Sequence, residues 1–186
     1  MPDGTWSRQL ASTLVPACFM GFRYIKEQET LSWVSRVNGF PLDVYRGDYI
    51  VDTVNELIGF QVGGDARLQH KNFNAALRVK GGTFVNFGDS RRFILSNDPT
   101  PGRIVFNPPL RTTQQDEVLA IALEAGLKGA YHVNPNLTFR LSGDVMWLHG
   151  LAVAPEQLTF EPSRGRIDMS GNILYLGLST GVELIW

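Results

Sequence analysis

The 186-residue chain lacks most features that would mark an enzyme, a nucleic-acid binder or a helical membrane protein. It holds one cysteine, Cys18. A lone cysteine excludes an internal disulfide and any cysteine-built zinc centre. The three histidines, His70, His132 and His149, are scattered without the paired spacing of a metal site. No metal and no cofactor is expected. No run of eighteen apolar residues occurs, so no helix is expected to cross a bilayer. Seventeen basic and eighteen acidic residues nearly cancel, leaving a net charge of -1. The basic residues form no patch that could neutralise phosphates, so nucleic acid is not expected as a partner. The sequence contains no GxSxG, no HExxH and no glycine-rich phosphate loop opening a helix, and an enzymatic role is not expected. Gly63-Gly64 and Gly81-Gly82 read instead as strand glycines.

The chain does contain alternation. Its last stretch, LYLGLSTGVELIW, places Leu174, Leu176, Leu178, Val182, Leu184 and Trp186 on one face. Tyr175, Gly177, Ser179, Gly181 and Glu183 fall on the other. Period two is the mark of a strand with two different neighbours. Five further segments behave alike, at about 18–37, 49–69, 73–87, 118–133 and 137–148. The segment at 118–133 is rich in helix formers, and Glu124 and Lys128 stand four apart. Yet Leu119, Ile121, Leu123 and Leu127 would scatter around a helix, whereas they line one face of a strand.

The expected fold is therefore all-β. It is an antiparallel up-and-down meander of about six long strands, forming part or all of a transmembrane β-barrel. Two connections are short, HKN and NPN, and alternate with three long polar ones at about 38–48, 88–117 and 149–171. Short turns on one side and long loops on the other are the asymmetry of outer-membrane barrels. Residues 1–17 read as an irregular N-terminal segment. It loosely resembles an export signal but lacks a small-x-small cleavage site. Residues 18–186 read as the barrel domain, the C-terminal portion of a longer barrel, because single-chain barrels begin at eight strands.

Charges sort by face. Arg23, Asp65, Arg67, Arg78, Lys80, Glu124, Lys128, Arg140, Asp144 and Glu183 fall on the less apolar face, where they would line the lumen. Mid-bilayer charge on the lipid side would cost about 2–4 kcal/mol. Glu56 alone sits on the apolar face, near its external end. Phe73, Phe87, Tyr131, Trp147 and Trp186 stand near strand ends, at the depth of membrane-interface aromatics. The lumen reads equally as a packed, ion-paired interior or as a polar channel.

Several segments also carry a resemblance: MGFRYIKEQETLSW, NELIGFQVGGDARL, LRVKGGTFVNF, LYLGLSTGVELIW and, most specific, the run from Glu124 to Pro155 with its Asn-Pro turn and GLAVAP. In this order they resemble the planctomycete-type β-barrel porin family. The resemblance implies an outer-membrane barrel of a Gram-negative-type envelope with a porin-like role in passive solute passage, or an envelope-structural one. The partners expected are the lipid bilayer, the barrel-assembly machinery through the C-terminal strand, and a homo-oligomeric copy. The alternative is a soluble or periplasmic β-barrel that binds a small apolar ligand, with the apolar face turned inward.

Overall fold

The computed structural model describes residues 13–36, 46–97, 106–158 and 166–186. Those residues form one antiparallel six-stranded meander in sequential order. The strands are β1 (Thr13–Arg36), β2 (Arg46–His70), β3 (Phe73–Asn97), β4 (Phe106–Asn134), β5 (Leu137–Leu151) and β6 (Gly171–Leu184). A single 3₁₀ turn, Ala154–Gln157, follows β5. β1 and β6 are the sheet edges and are not paired with each other.

The segment at 118–133 is strand, as its alternation requires. The strands run longer than alternation alone suggests. β3 continues past Phe87 to Asn97, and β4 begins at Phe106, within a stretch expected to be loop. β1 likewise begins at Thr13, inside the expected irregular segment. Residues 1–12, the first part of the segment that loosely resembles an export signal, lie outside the described residues. The reason for the longer strands is visible in the faces. Beyond Phe87 both faces of β3 turn polar, with Asp89 and Arg91 on one and Ser90 and Arg92 on the other. The hydrophobic contrast that betrays a strand is lost while the backbone ladder continues.

Register fixes which residues share a face. Tyr24 pairs with Ile58, Ile58 with Val85 and Val85 with Leu119. Leu123 pairs with Trp147, and Trp147 with Leu174. These residues form one outward apolar surface on which Phe22 is 86% exposed and Leu178 is 79% exposed. Phe22 and Phe60 meet edge to face on it, with centroids 5.7 Å apart. The opposite face is concave, because Arg23 of β1 reaches Glu124 of β4, three strands away.

Both short turns, Lys71-Asn72 and Pro135-Asn136, lie at one end of the sheet. The Asn136 amide donates to the Asn134 side chain at 2.9 Å, closing the second turn. The chain terminus is tied to the same turn. Ile185 donates its amide to the Asn136 carbonyl at 2.9 Å, and the Asn136 side chain donates to the Ile185 carbonyl at 2.8 Å. Trp186 is fully exposed beside the turn.

Candidate functional site: the filled concave face

The concave face is built in tiers. At mid-height Leu57, Phe84, Ala120, Ala122, Leu148 and Leu151 form a buried cluster, with Ile25, Met146 and Ile173 packed against it. Phe84 lies down across β2 and β3 because its neighbours there are glycines. A Cβ on Gly59 would come within 2.8 Å of the Phe84 ring and 2.1 Å of the Thr83 carbonyl, and one on Gly82 within 2.9 Å of that ring.

Above this cluster the chain leaving β5 turns into the concavity as a strap. Gly150 starts the turn at φ +86°, in the left-handed region that disfavours a side chain. Two buried asparagines then hold the strap. Asn55 donates to the Ala152 carbonyl at 2.9 Å and accepts from the Ala152 amide at 2.7 Å. Asn86 donates to the Asn55 side chain at 2.9 Å and to the Gly150 carbonyl at 2.8 Å. Glu29 of β1 accepts the Ala154 amide at 2.8 Å. The strap continues through Gln157, which binds the Asp168 backbone through both its amide nitrogen and its carbonyl oxygen. Its return limb seats Met169 over Gly88, where a Cβ would meet the sulfur at 2.4 Å.

Below the apolar cluster, towards the short turns, the concavity is charged. Glu124 is bound at once by Arg23 and Lys80. Asp65 is bound by Arg78 at 3.1 Å and Arg67 at 3.5 Å. Arg140 pairs with Glu183. Asp144 bends over Gly126. Lys128 lines the same groove, whose volume is about 520 Å³. All ten charges assigned to the inner face thus lie on the concave side, and most are neutralised by one another. Glu56 lies outside, paired with Lys26 at 2.9 Å. With Asp52, Asp89 and Gln115 it belongs to a polar belt just beyond the apolar surface. It stands on the outward face, as its place in the alternation requires, level with Phe87, and Lys26 joins it there.

Phe73, Phe87, Tyr131 and Trp147 fall on the outward face, and Trp186 lies fully exposed beyond the end of β6. Register adds a residue that periodicity did not single out: Phe73, Tyr131 and Phe139 stand side by side across three strands. Sequence reasoning also missed Asn55 and Asn86. Asparagine is a poor strand former, so two of them inside otherwise regular strands were the available signal. His132 is engaged by Asn74 at 2.9 Å and Thr138 at 2.8 Å, and His149 stacks on Trp147. Among the described residues no group of three His, Cys, Asp or Glu side chains is placed to hold a metal ion. No protein-family model, no curated protein and no solved structure matches this chain.

Proposed function

We propose that this chain forms the wall of an outer-membrane β-barrel, with a porin-like or envelope-structural role in a Gram-negative-type envelope. One observation carries the reading: the outward face is apolar over a limited height and turns polar abruptly. From Phe73 to Phe87, β3 rises roughly 35 Å along the axis at about 3.3 Å per residue and about 40° tilt. That span brackets an apolar band of about 25 Å with an aromatic girdle at each rim. Asp89 and Arg91 follow immediately on the same face. An exposed apolar surface of this extent needs a partner, and a monomer in water would not carry it. The lipid bilayer fits it.

The inverted barrel that binds an apolar ligand would need its apolar face on the concave side. Here that side holds the ion pairs. The strap and the Arg23–Glu124–Lys80 cluster favour a narrow, filled lumen over a wide aqueous channel. Kinship with the planctomycete-type porin family and delivery by the barrel-assembly machinery through β6 belong to the same proposal.

The test is Leu123→Arg and Val79→Arg, each on the outward face and about half exposed. In the bilayer each should cost about 2–4 kcal/mol and empty the envelope fraction. Gln115→Arg, on the same face in the polar belt, should leave assembly intact. Equal tolerance of all three would overturn the reading.

A further inference from the structure

The inward charges are not spread evenly along the concave face. Nearer the apolar cluster, Arg23, Arg78 and Lys80 stand among Asp65, Glu124 and Asp144, three bases with three acids. Towards the short turns that balance ends. Arg67 and Lys128 border the balanced groove and, with Arg140, line a second one of about 400 Å³ to which no carboxylate contributes. Register sets the three cations together. Arg67 pairs with Ala76, Ala76 with Lys128 and Lys128 with Ser142, so these residues share one row from β2 to β5. Arg140 stands in the next row, between Ala130 and Gly181. Small residues thus separate the long ones, and the cations stand around an open floor. Arg67 and Lys128 are two strands apart, about 10 Å between α-carbons, so their side chains can close on one ion from both sides.

The ion pairs leave a positive surplus in this second groove. Among the described residues Lys128 enters no ion pair, not even with Asp144, which stands one row higher on β5 and bends over Gly126. Arg67 shares Asp65 with Arg78, at 3.5 Å to one oxygen against 3.1 Å for Arg78 to the other. Arg140 alone is matched, by Glu183 at the turn end of β6. We infer that this end of the concave face is an anion-binding mouth that takes small phosphate-like oxyanions. The inference rests on the membrane reading above, which makes the groove the entrance of a lumen. Each guanidinium presents paired N–H donors that match two oxygens of such an ion, and the ammonium adds a point charge. A cleft lined by one sign of charge focuses its field on the entrance and raises the local concentration of anions. A lipid headgroup is not the source of the anion, because the groove lies on the face opposite the exposed apolar surface.

The test reads Lys128 directly. In the full-length protein held in detergent micelles, the lysines are converted to isotope-labelled dimethyl-lysine, which keeps their charge. The Lys128 resonance is assigned from Lys128→Arg. Inorganic phosphate is then titrated at constant ionic strength set with potassium chloride. The inference predicts a saturable shift at Lys128 and none at Lys26, which lies on the outward face and is held by Glu56. Arg67→Gln, at an exposed position, should weaken the apparent affinity about tenfold, the loss expected for one charge-assisted hydrogen bond. Arg91→Gln, in the outward polar belt, should leave it unchanged. A Lys128 resonance that stays still, or drifts without saturating, would mean screening alone and overturn the inference. Equal affinity in Arg67→Gln would overturn the shared site. Both results leave the membrane reading standing. Recovery of the protein in the soluble fraction would sink that reading separately, while the same titration on the soluble protein still decides the site.

Discussion

Replacing Asn55 with leucine isolates the strap from the wall. Asn55 is 1% exposed and occupies the inner face of β2. Its side chain satisfies both the amide and the carbonyl of Ala152, itself 1% exposed, and orients Asn86. Leucine keeps the branched heavy-atom skeleton of asparagine and is bulkier, so the change removes hydrogen bonds without opening a cavity. It leaves two backbone groups and the Asn86 amide to find other partners. Each buried group left unsatisfied costs about 1–3 kcal/mol, and the Asn86 amide retains the Gly150 carbonyl, so we expect about 3 kcal/mol in total. The sheet ladder does not depend on these bonds, so the loss should appear as local opening of the strap. Hydrogen exchange of the amides at Ala152 and Ala154 is the assay. About 3 kcal/mol corresponds to a hundredfold or slightly larger acceleration, while amides in the β2–β3 ladder near Val62 stay unchanged. Unchanged exchange at Ala152 would refute the assignment of Asn55 as the anchor. Uniform acceleration throughout the sheet would refute the separation of strap from wall.

Three further outcomes are expected. Glu124→Gln leaves Arg23 and Lys80 sharing a neutral partner. Because these side chains are 17–28% exposed, the loss should fall between surface and buried pairs, near 2 kcal/mol, read from the urea midpoint in vesicles. Adding Lys80→Met should recover part of it. Gly59→Ala drives a Cβ into the Thr83 carbonyl and Phe84 ring. It should destabilise the sheet by roughly 1–3 kcal/mol or displace Phe84, visible as altered near-ultraviolet dichroism of the folded protein. Asp168 lies outside the strands and is held below the usual carboxylate range by the Ser170 hydroxyl and then the Ser170 amide. A carboxyl lowered by folding contributes stability above its unfolded pKa and loses it as pH falls through the folded value. The 168–170 turn should therefore stay intact above about pH 4 and loosen only in stronger acid. Asp168→Asn should abolish that dependence, as followed by proton exchange at Ser170.

The parts of the fold that were legible before the structure were those under a hydrophobic gradient. Along β3, Phe73 to Phe87 alternates because one face is the outward apolar surface and the other the concave side that holds the charges. The strand and its inward charges follow from that contrast. Where the contrast ends, as at Asp89 to Asn97, the ladder continues but nothing in the residues marks it. The ion pairs were half legible. Asp65, Arg78, Lys80 and Glu124 could be placed on one face by parity. Their matching depends on register: Asp65 opposite Arg78 and Lys80 opposite Glu124. The Arg23–Glu124 contact depends on curvature, which no local pattern contains. The mid-height cluster was obscured by composition. Ala120 and Ala122 read as small inner residues, yet they are the floor on which Leu148 and Leu151 pack. The strap was illegible for a different reason. It has no period, and its anchors are two asparagines far away in sequence.

The pairing between β1 and β2, and between β2 and β3, runs in register from end to end. The register shifts fall elsewhere, at Ile94/Ser96, His132/Asn134 and His149/Leu151, all near strand ends. A bulge leaves a peptide group unpaired, and only a wet environment satisfies it cheaply. The wall therefore has a zone where length is fixed and two margins where it is negotiable. A single-residue insertion at either margin becomes another bulge. The same insertion near Val79 or Leu123 has no margin to absorb it, and it exchanges inside for outside along the remainder of the strand. Over generations such a protein can lengthen and shorten at its rims while the number of residues between them stays locked.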